Sequence, residues 1–204
     1  MCIRAVLFDV GGVLFHQPNR TLHHRWEERL GLAEGALGRT IWTMPISARA
    51  EIGLAGEDDV WAAVADRFQL NLIDLAALRA DYFSGGAWND QLIDYARSLR
   101  PRYKTSIISN AWPDARAAVK HRINGEAFDD LIFSAEVGLA KPDQRIYELA
   151  LDRLHVQPTD AIFIDDVQTN VEAAQAIGMA GIRFLNTNQT IMEIEQYLKA
   201  SQNA

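Results

Sequence analysis

The stretch of sequence that decides the fold is VLFDVGGVL at residues 6–14. Its apolar start predicts a buried strand over residues 4–8, and this strand ends at Asp9, just before a turn that contains Gly11 and Gly12. A parallel strand delivers a side chain to the carboxyl edge of its sheet in this way, and open α/β folds bind ligands at that edge. Ordinary turns also have this pattern, so the rest of the chain must decide between the two interpretations.

Three more polar sites follow along the chain in a fixed order. Ser109 and Asn110 close an apolar run, Lys141 stands in AKPD, and Asp165 with Asp166 closes IFIDD. Each site has an ordinary explanation by itself, as a turn, a surface lysine or a helix N-cap. All of these sites are expected at the same edge of one sheet. A separate ordinary explanation for each site would not account for that shared position. We therefore interpret them, together with the first aspartate, as one site.

The composition restricts the class of protein. The 204 residues carry a formal net charge of −7, which disfavours nucleic acid and anionic membranes as partners because both require clustered Lys and Arg. Hydrophobic residues make up 49% of the chain, and the single cysteine, Cys2, excludes an intrachain disulfide or a cysteine-rich zinc site. There is no membrane-spanning run, and a strand stands at the N-terminus in place of a signal peptide. We expect a cytoplasmic protein, monomeric or homodimeric, that acts on a small molecule.

The order of elements predicts an α/β fold. After residue 87, apolar runs alternate with helical patterns, which indicates a doubly wound parallel sheet with helices on both faces. Pro142 is expected at the first position of its helix, and Gly178 directly after the end of the next helix. The predicted strands cover residues 103–109, 131–134, 161–164 and 181–185, and the predicted helices cover residues 89–99, 114–123, 142–154, 169–177 and 189–199.

Residues 16–86 lack any alternating strand pattern and are predicted to be helical. Helices are expected over residues 20–30, 57–68 and 72–82, and Gly31 is expected to end the first of them. We therefore expect a core formed by residues 1–15 and 87–204, with residues 16–86 as a small helical cap inserted after the first strand.

The residue types at the four sites suit phosphoryl transfer. A carboxylate such as Asp9 can attack phosphorus and form an acyl-phosphate, provided that a cation offsets the repulsion between the two anions. Mg²⁺ suits this role because it binds few protein ligands and keeps several waters, and Asp165 and Asp166 are natural further ligands. The serine hydroxyl and the asparagine amide at the second site would donate hydrogen bonds to phosphoryl oxygens, and the lysine would neutralise their charge.

In these positions the chain resembles the haloacid dehalogenase (HAD) superfamily, over essentially its whole length. Asp9 matches the family's nucleophile, Ser109 its second motif, Lys141 its third, and the pair Asp165 and Asp166 its acidic fourth. The stretches SAEVGLAKPD and DDVQTN, which contain the last two motifs, are similar to the family well beyond the catalytic positions. The helical insertion resembles the family's C1-type cap. The resemblance implies a hydrolase with a Rossmann-like core and a mobile lid.

The resemblance also implies a role for each residue. Mg²⁺ would be held by Asp9, the backbone carbonyl of Gly11, Asp165 and Asp166, with Asp166 as a direct ligand and Asp165 direct or through water. Phosphate would be contacted by Ser109, Asn110, Lys141 and Gly12.

One position departs from the family pattern. Phosphatases of this family usually carry a second aspartate two residues after the nucleophile, where this chain has Gly11. That aspartate protonates the leaving group, and general acid–base catalysis contributes roughly 10²–10⁴-fold. Since the family binds Mg²⁺ at this position through the backbone carbonyl, we expect the metal site to survive. His16 is close enough in sequence to Asp9 to be a candidate for the replacement acid.

Three functions remain open. The first is a phosphatase of small phosphorylated metabolites, resembling the Asp-x-Gly members that act on sugar phosphates. The second is a haloacid dehalogenase-type hydrolase, which works without metal, and the third is a catalytically weakened ligand-binding or regulatory protein. A phosphonate-cleaving enzyme is excluded, because it requires a cap lysine and residues 16–86 contain none. The candidates for substrate contacts in the cap are Trp42, Met44, Arg49 and Glu51 of a non-periodic segment, although aromatic residues and methionine are more often simply buried.

Overall fold

The computed structural model describes residues 2–123 and 127–202 and contains one parallel sheet. The strands of this sheet are β1 (Ala5–Phe8), β4 (Lys104–Ser109), β5 (Asp130–Phe133), β6 (Ala161–Asp165) and β7 (Ala180–Arg183), and a separate antiparallel pair is formed by β2 (Phe15–His16) and β3 (Ala87–Trp88). The order across the sheet is β5-β4-β1-β6-β7, so the chain builds outward on one side of β1 and then on the other. Such a switch point opens a crevice at the carboxyl ends of the central strands.

The helices surround this sheet and form a separate group after β2. Their bounds are α1 (Thr21–Arg29), α2 (Ala36–Trp42), α3 (Pro45–Glu51), α4 (Glu57–Phe68), α5 (Leu72–Tyr82), α6 (Asp90–Leu99), α7 (Ala115–Ile123), α8 (Ser134–Val137), α9 (Gln144–Leu154), α10 (Gln168–Ala176) and α11 (Thr187–Gln202). Helices α6, α7 and α11 cover one face of the sheet, and α9 and α10 cover the other. The predicted doubly wound α/β class is thereby confirmed.

The central strand shows why both faces are covered. Side chains alternate between the two faces of a strand. Val6 and Phe8 belong to the hydrophobic cluster under α6, α7 and α11, whereas Ala5 and Leu7 belong to the cluster under α9 and α10. All four residues of β1 are fully buried, which is the reason that its sequence is continuously apolar.

Helices α1 to α5 pack around a hydrophobic cluster of their own. This cluster includes Leu37, Ile41, Trp61 and Leu78, and it also takes in Trp112 from the loop after β4. The predicted helix over residues 72–82 has the observed bounds, and those predicted over 20–30 and 57–68 are also present. We refer to α1–α5 as the helical module.

Several sequence-based expectations in this region were wrong. The segment from Trp42 to Glu51 was expected to be non-periodic, but Trp42 is the last residue of the short helix α2 and residues 45–51 form the short helix α3. The chain segments at the two ends of the module pair as β2 and β3, where no strand was expected. Two-residue strands and seven-residue helices are too short to show a period in the sequence.

Helix α9 begins later than its sequence signal indicates. Pro142 was expected at its first position, but the helix starts at Gln144. Asp143 is the N-cap, and its side chain accepts a hydrogen bond from the backbone N–H of Arg145. Gly31 and Gly178 do follow the ends of α1 and α10, as expected. The outer limits proposed for the core, residues 1 and 204, lie outside the described residues.

None of the helices in residues 2–123 and 127–202 is both long and apolar enough to cross a lipid bilayer.

Candidate active site

The nucleophile candidate and the lysine candidate are in direct contact. Asp9 follows the end of β1, and its backbone N–H donates to the carbonyl of Ile164 on the neighbouring strand β6. The Lys141 ammonium lies 2.7 Å from Oδ1 of Asp9 and 2.6 Å from Oδ2 of Asp165. Lys141 is 5% exposed and Asp165 is 0% exposed, so this lysine is a buried bridge and not a surface residue.

Asp165 is held in place by donors from the start of α10. Its Oδ1 accepts a hydrogen bond of 2.8 Å from the backbone N–H of Val167. Asn170 donates to both of its carboxylate oxygens at 3.1 Å, and the hydroxyl of Tyr147 donates to the carbonyl of Asn170. The sequence reasoning did not assign a role to Asn170. The sequence carries no clear signal for it, since the neighbours on a helix are three or four residues apart and Asp165 lies five residues away, before the start of α10.

Asn110 positions the backbone of Lys141. Its side-chain N–H donates to the Lys141 carbonyl at 2.9 Å, and its side-chain oxygen accepts from the Lys141 N–H at 2.8 Å. This reciprocal pair ties the loop before α9 to the end of β4. The Asn110 side chain is thereby engaged, which leaves its backbone N–H as the group that can serve the proposed phosphate contact. The neighbouring Ser109 is buried, and its hydroxyl makes only a long contact of 3.4 Å to the Asn110 carbonyl.

Three carboxylates converge at this edge of the sheet. Asp9, Asp165 and Asp166 each offer an oxygen, and these oxygens all lie within 4.8 Å of one another. Burial raises the pKa of Asp9 to about 7, and the charge of Asp165 acts in the same direction against the attraction of Lys141. Burial and then the charge of Asp165 also raise the pKa of Asp166.

A cation therefore fits this site. Burial alone would lower the pKa of Lys141, but the charges of Asp9 and Asp165 outweigh it and raise that pKa, so the lysine is charged. Its single positive charge faces three carboxylates, and a divalent ion would offset the negative charge that the lysine leaves unbalanced. Oxygen donors of this kind are those that Mg²⁺ prefers.

The two glycines of the turn differ in their surroundings. A β-carbon at Gly11 would have no atom within 4 Å, and Gly11 does not have a positive φ. Gly12 has a φ of +78°, and a β-carbon there would lie 2.4 Å from Oδ2 of Asp166. The strained position is therefore Gly12, and the position of the missing aspartate is open.

The helical module reaches the site through the end of α3. Burial raises the pKa of Glu51, while the attraction of Lys141 lowers it in part, so Glu51 lies within electrostatic range of the site. Two residues later, a β-carbon at Gly53 would lie 2.3 Å from the carbonyl oxygen of Ala135 in α8. This close approach fixes the end of α3 against the loop that leads to Lys141.

The other cap candidates have different positions. Trp42 stacks on Trp112 with ring centroids 4.4 Å apart. Met44 is partly buried against the hydrophobic cluster of the helical module, and Arg49 donates a long hydrogen bond of 3.4 Å to the carbonyl of Leu54, just after α3. His16 is exposed on β2, where its neighbour Phe15 faces a cavity beside the site. Because strand side chains alternate, His16 points away from that cavity. It is therefore poorly placed to donate a proton to a leaving group there.

Comparisons with known proteins agree with this geometry. A family model described as haloacid dehalogenase-like hydrolase matches residues 3–178. Bifunctional epoxide hydrolase 2 of Sus scrofa is 30% identical over 96% of this chain. The match spans 39% of the length of that longer protein. A sesquiterpene phosphatase of Aspergillus oryzae is 28% identical over 96% of the chain and 98% of its own length.

A solved structure shows the same fold. The HAD family enzyme of Bacteroides thetaiotaomicron, determined as a complex with magnesium and inorganic phosphate, superposes with a TM-score of 0.72 at 19% identity. The match covers 89% of this chain and 93% of that one. Together with the family model, which spans all four polar sites, these findings show that the chain belongs to the haloacid dehalogenase-like hydrolases.

Proposed function

We propose that this hydrolase is a Mg²⁺-dependent phosphatase of small phosphorylated metabolites that works through an aspartyl-phosphate on Asp9. The observation that carries the proposal is the buried Lys141 ammonium, which contacts Asp9 and Asp165 while Asp166 completes a cluster of three carboxylates. A phosphoryl group brings further negative charge, and this arrangement of one ammonium and a cation site is suited to accept it.

The reaction proposed for Asp9 has two steps. A carboxylate oxygen of Asp9 attacks phosphorus, forms an acyl-phosphate and expels the alcohol, whose oxygen takes up a proton as it leaves. Water then attacks the phosphorus of the acyl-phosphate, which releases inorganic phosphate and restores the Asp9 carboxylate. Lys141 stabilises the charge on the phosphoryl oxygens, and Ser109 and the backbone N–H of Asn110 donate hydrogen bonds to them.

The acidic cluster is the proposed metal site. Asp9, Asp165 and Asp166 would hold Mg²⁺ together with the backbone carbonyl of Gly11. When bound, the ion would supply positive charge that reduces the repulsion between the nucleophile and the phosphoryl group. Gly12 contributes by letting the backbone approach the Asp166 carboxylate.

Residues 16–86 are proposed to form a cap over this site. The support is the separate hydrophobic cluster of the helical module and the position of Glu51 near Lys141. The A. oryzae relative, which covers nearly the same length as this chain, has a phosphatase activity in its name and supports the choice of a phosphate ester. A cytoplasmic location and a monomeric or homodimeric state stay predictions.

Phosphate release tests the proposal against its rivals. We expect hydrolysis of acetyl phosphate and p-nitrophenyl phosphate with Mg²⁺ and none in excess EDTA. Halide release from 2-chloropropionate in EDTA would establish a dehalogenase in its place. A protein that binds inorganic phosphate but turns over none of these compounds would be the regulatory alternative.

A further inference from the structure

A cavity of about 510 Å³ adjoins the open position of the glycine turn. It begins at Gly11 and Ser109 and extends between the β2–β3 pair, the helical module and α7. Its volume falls in the range of small-molecule pockets, roughly 300–1,000 Å³. Ser109 is proposed to contact the phosphate and Gly11 to hold the metal beside it, so the group that leaves from phosphorus would extend into this cavity.

Aromatic side chains form the walls of this cavity. Phe15 and Trp88 pair across β2 and β3 with ring centroids 5.1 Å apart, and both face it. On another side, Trp42 of the helical module and Trp112 of the core stack on each other and line it. The lining therefore combines rings from three separate parts of the chain.

The charged groups of the lining are few and all acidic. Among the described residues that line the cavity there is no Lys, Arg or His, and the carboxylates are those of Glu57 and Asp114. Glu57 is already engaged, because its Oε1 accepts a hydrogen bond of 2.8 Å from Trp61 and lies 3.0 Å from an Arg79 nitrogen. A leaving group with a second phosphate would meet no cation here.

We propose that the alcohol part of the substrate is a bulky apolar group, so that the chain hydrolyses monophosphate esters of hydrophobic alcohols in preference to sugar phosphates. This inference rests on the proposed phosphatase function and specifies its substrate class. Sugar hydroxyls placed against these rings would lose their hydrogen bonds to water without replacement, whereas each buried methylene is stabilised.

The absence of a side chain at Gly11 agrees with this substrate class. A carboxylate at that position would stand at the junction between the phosphate site and the aromatic walls. Burying it next to an apolar leaving group would carry a desolvation cost, which the glycine avoids.

A series of 4-alkylphenyl phosphates, from methyl to hexyl, tests the proposal at constant leaving-group acidity. We expect kcat/KM to rise by about two- to fourfold per methylene until the cavity is filled, because a buried methylene corresponds to at most about fourfold. Glucose 6-phosphate should be a poor substrate. Acetyl phosphate serves as the reference substrate, because its leaving group is small and polar.

A matched pair of variants on α7 locates the effect. Ala117 and Ala118 are both exposed on this helix, but only Ala118 lines the cavity. Ala118→Trp should remove at least tenfold of the preference for the hexyl over the methyl ester. Ala117→Trp should leave that preference and acetyl phosphate turnover unchanged.

The outcomes separate this inference from the proposed function. Mg²⁺-dependent hydrolysis of acetyl phosphate with a flat chain-length series, or with equal effects of the two variants, would overturn the inference and leave the phosphatase intact. Binding of octylphosphonate measured by isothermal titration calorimetry, weakened in Ala118→Trp, reports apolar binding without turnover. If this binding occurs while no phosphate ester is hydrolysed, the proposed phosphatase function is wrong. The binding of apolar groups in the cavity would still be supported.

Discussion

Gly12 brings the backbone so close to Asp166 that a β-carbon would lie 2.4 Å from the Asp166 Oδ2. Its φ of +78° is in the region that side chains other than glycine seldom adopt. The adjacent Gly11 has neither constraint. One glycine of the turn therefore shapes the proposed metal site, and the other leaves space beside it.

This difference predicts opposite results for two conservative substitutions. Gly12→Ala should displace the Asp166 carboxylate and weaken Mg²⁺ activation at least tenfold, with a stability loss of about 1–2 kcal/mol from the positive φ. Gly11→Ala should keep the wild-type dependence on Mg²⁺ and the wild-type stability. The measurements are the Mg²⁺ concentration for half-maximal turnover and urea unfolding. Equal Mg²⁺ dependence in the two variants would show that Asp166 is not a ligand.

The open position at Gly11 also predicts how activity depends on the leaving group. Without an aspartate there, expulsion of a poorly acidic alcohol should be slow, so aryl phosphates should be hydrolysed faster than alkyl phosphates of similar size. Gly11→Asp should flatten this dependence, because the structure has room for the side chain and requires no positive φ.

The check is a series of phosphates with graded leaving-group pKa, measured on wild type, Gly11→Asp and Gly11→Asn. The asparagine matches the aspartate in size but donates no proton in its place, so it should leave the slope unchanged. A wild-type slope as flat as that of Gly11→Asp would mean that another group supplies the proton. Glu51 would then be the first to test, as Glu51→Gln, because burial raises its pKa and it lies near Lys141.

Lys141 is expected to contribute to stability as well as to turnover. Its ammonium is the partner of two buried carboxylates, and removing one member of a buried ion pair costs about 3–5 kcal/mol. Lys141→Ala should therefore abolish turnover and lower the Tm in EDTA, and Mg²⁺ should restore part of the stability but not the turnover. Lys104→Ala is the control, since Lys104 is exposed and its ion pair with Asp129 is longer, at 3.6 Å. A Lys141→Ala protein with near-normal kcat would contradict the proposed site.

The raised pKa of Asp9 predicts a stability that depends on pH. Its pKa is about 7 in the folded chain and has its ordinary value of 3.8 in the unfolded chain. Between these values the folded chain holds a proton that the unfolded chain has lost, so the stabilising contribution is complete below the lower value and is lost as the pH rises through about 7. In EDTA, the unfolding free energy of Asp9→Asn should equal that of wild type near pH ~4 and exceed it by about 1–4 kcal/mol near pH ~8.

Urea unfolding of both proteins across this range measures the difference, and added Mg²⁺ should reduce it by neutralising the wild-type carboxylate. A difference in unfolding free energy that is constant with pH would refute the burial argument for Asp9.

The sequence predicted the parts of the site that depend on strand ends. Asp9, Ser109 and Asp165 terminate or directly follow buried parallel strands, and apolar runs of this kind are visible in the sequence. Lys141 contacts Asp9 and Asp165 there, which agrees with the expectation that the polar sites share one edge of the sheet. The family resemblance added the roles of the individual residues.

The parts of the site that the sequence did not predict depend on segments that are far apart along the chain. Asn170 donates hydrogen bonds to Asp165, and Asn110 is hydrogen-bonded to the backbone of Lys141. Both contacts depend on side-chain geometry, which spacing along the chain does not give. The cavity is assembled from the β2–β3 pair, the helical module and α7, none of which shows its partners in its own sequence. The family resemblance pointed to sugar phosphates, whereas the cavity walls favour an apolar ester.

Phosphate release by wild type and Asp9→Asn, each with Mg²⁺ and with excess EDTA, tests the central claim most directly. The substrates are acetyl phosphate and p-nitrophenyl phosphate, and circular dichroism confirms that both proteins are folded. The account predicts release by wild type with Mg²⁺ alone, and none by Asp9→Asn under either condition. Release that persists in Asp9→Asn, or in EDTA, would contradict it.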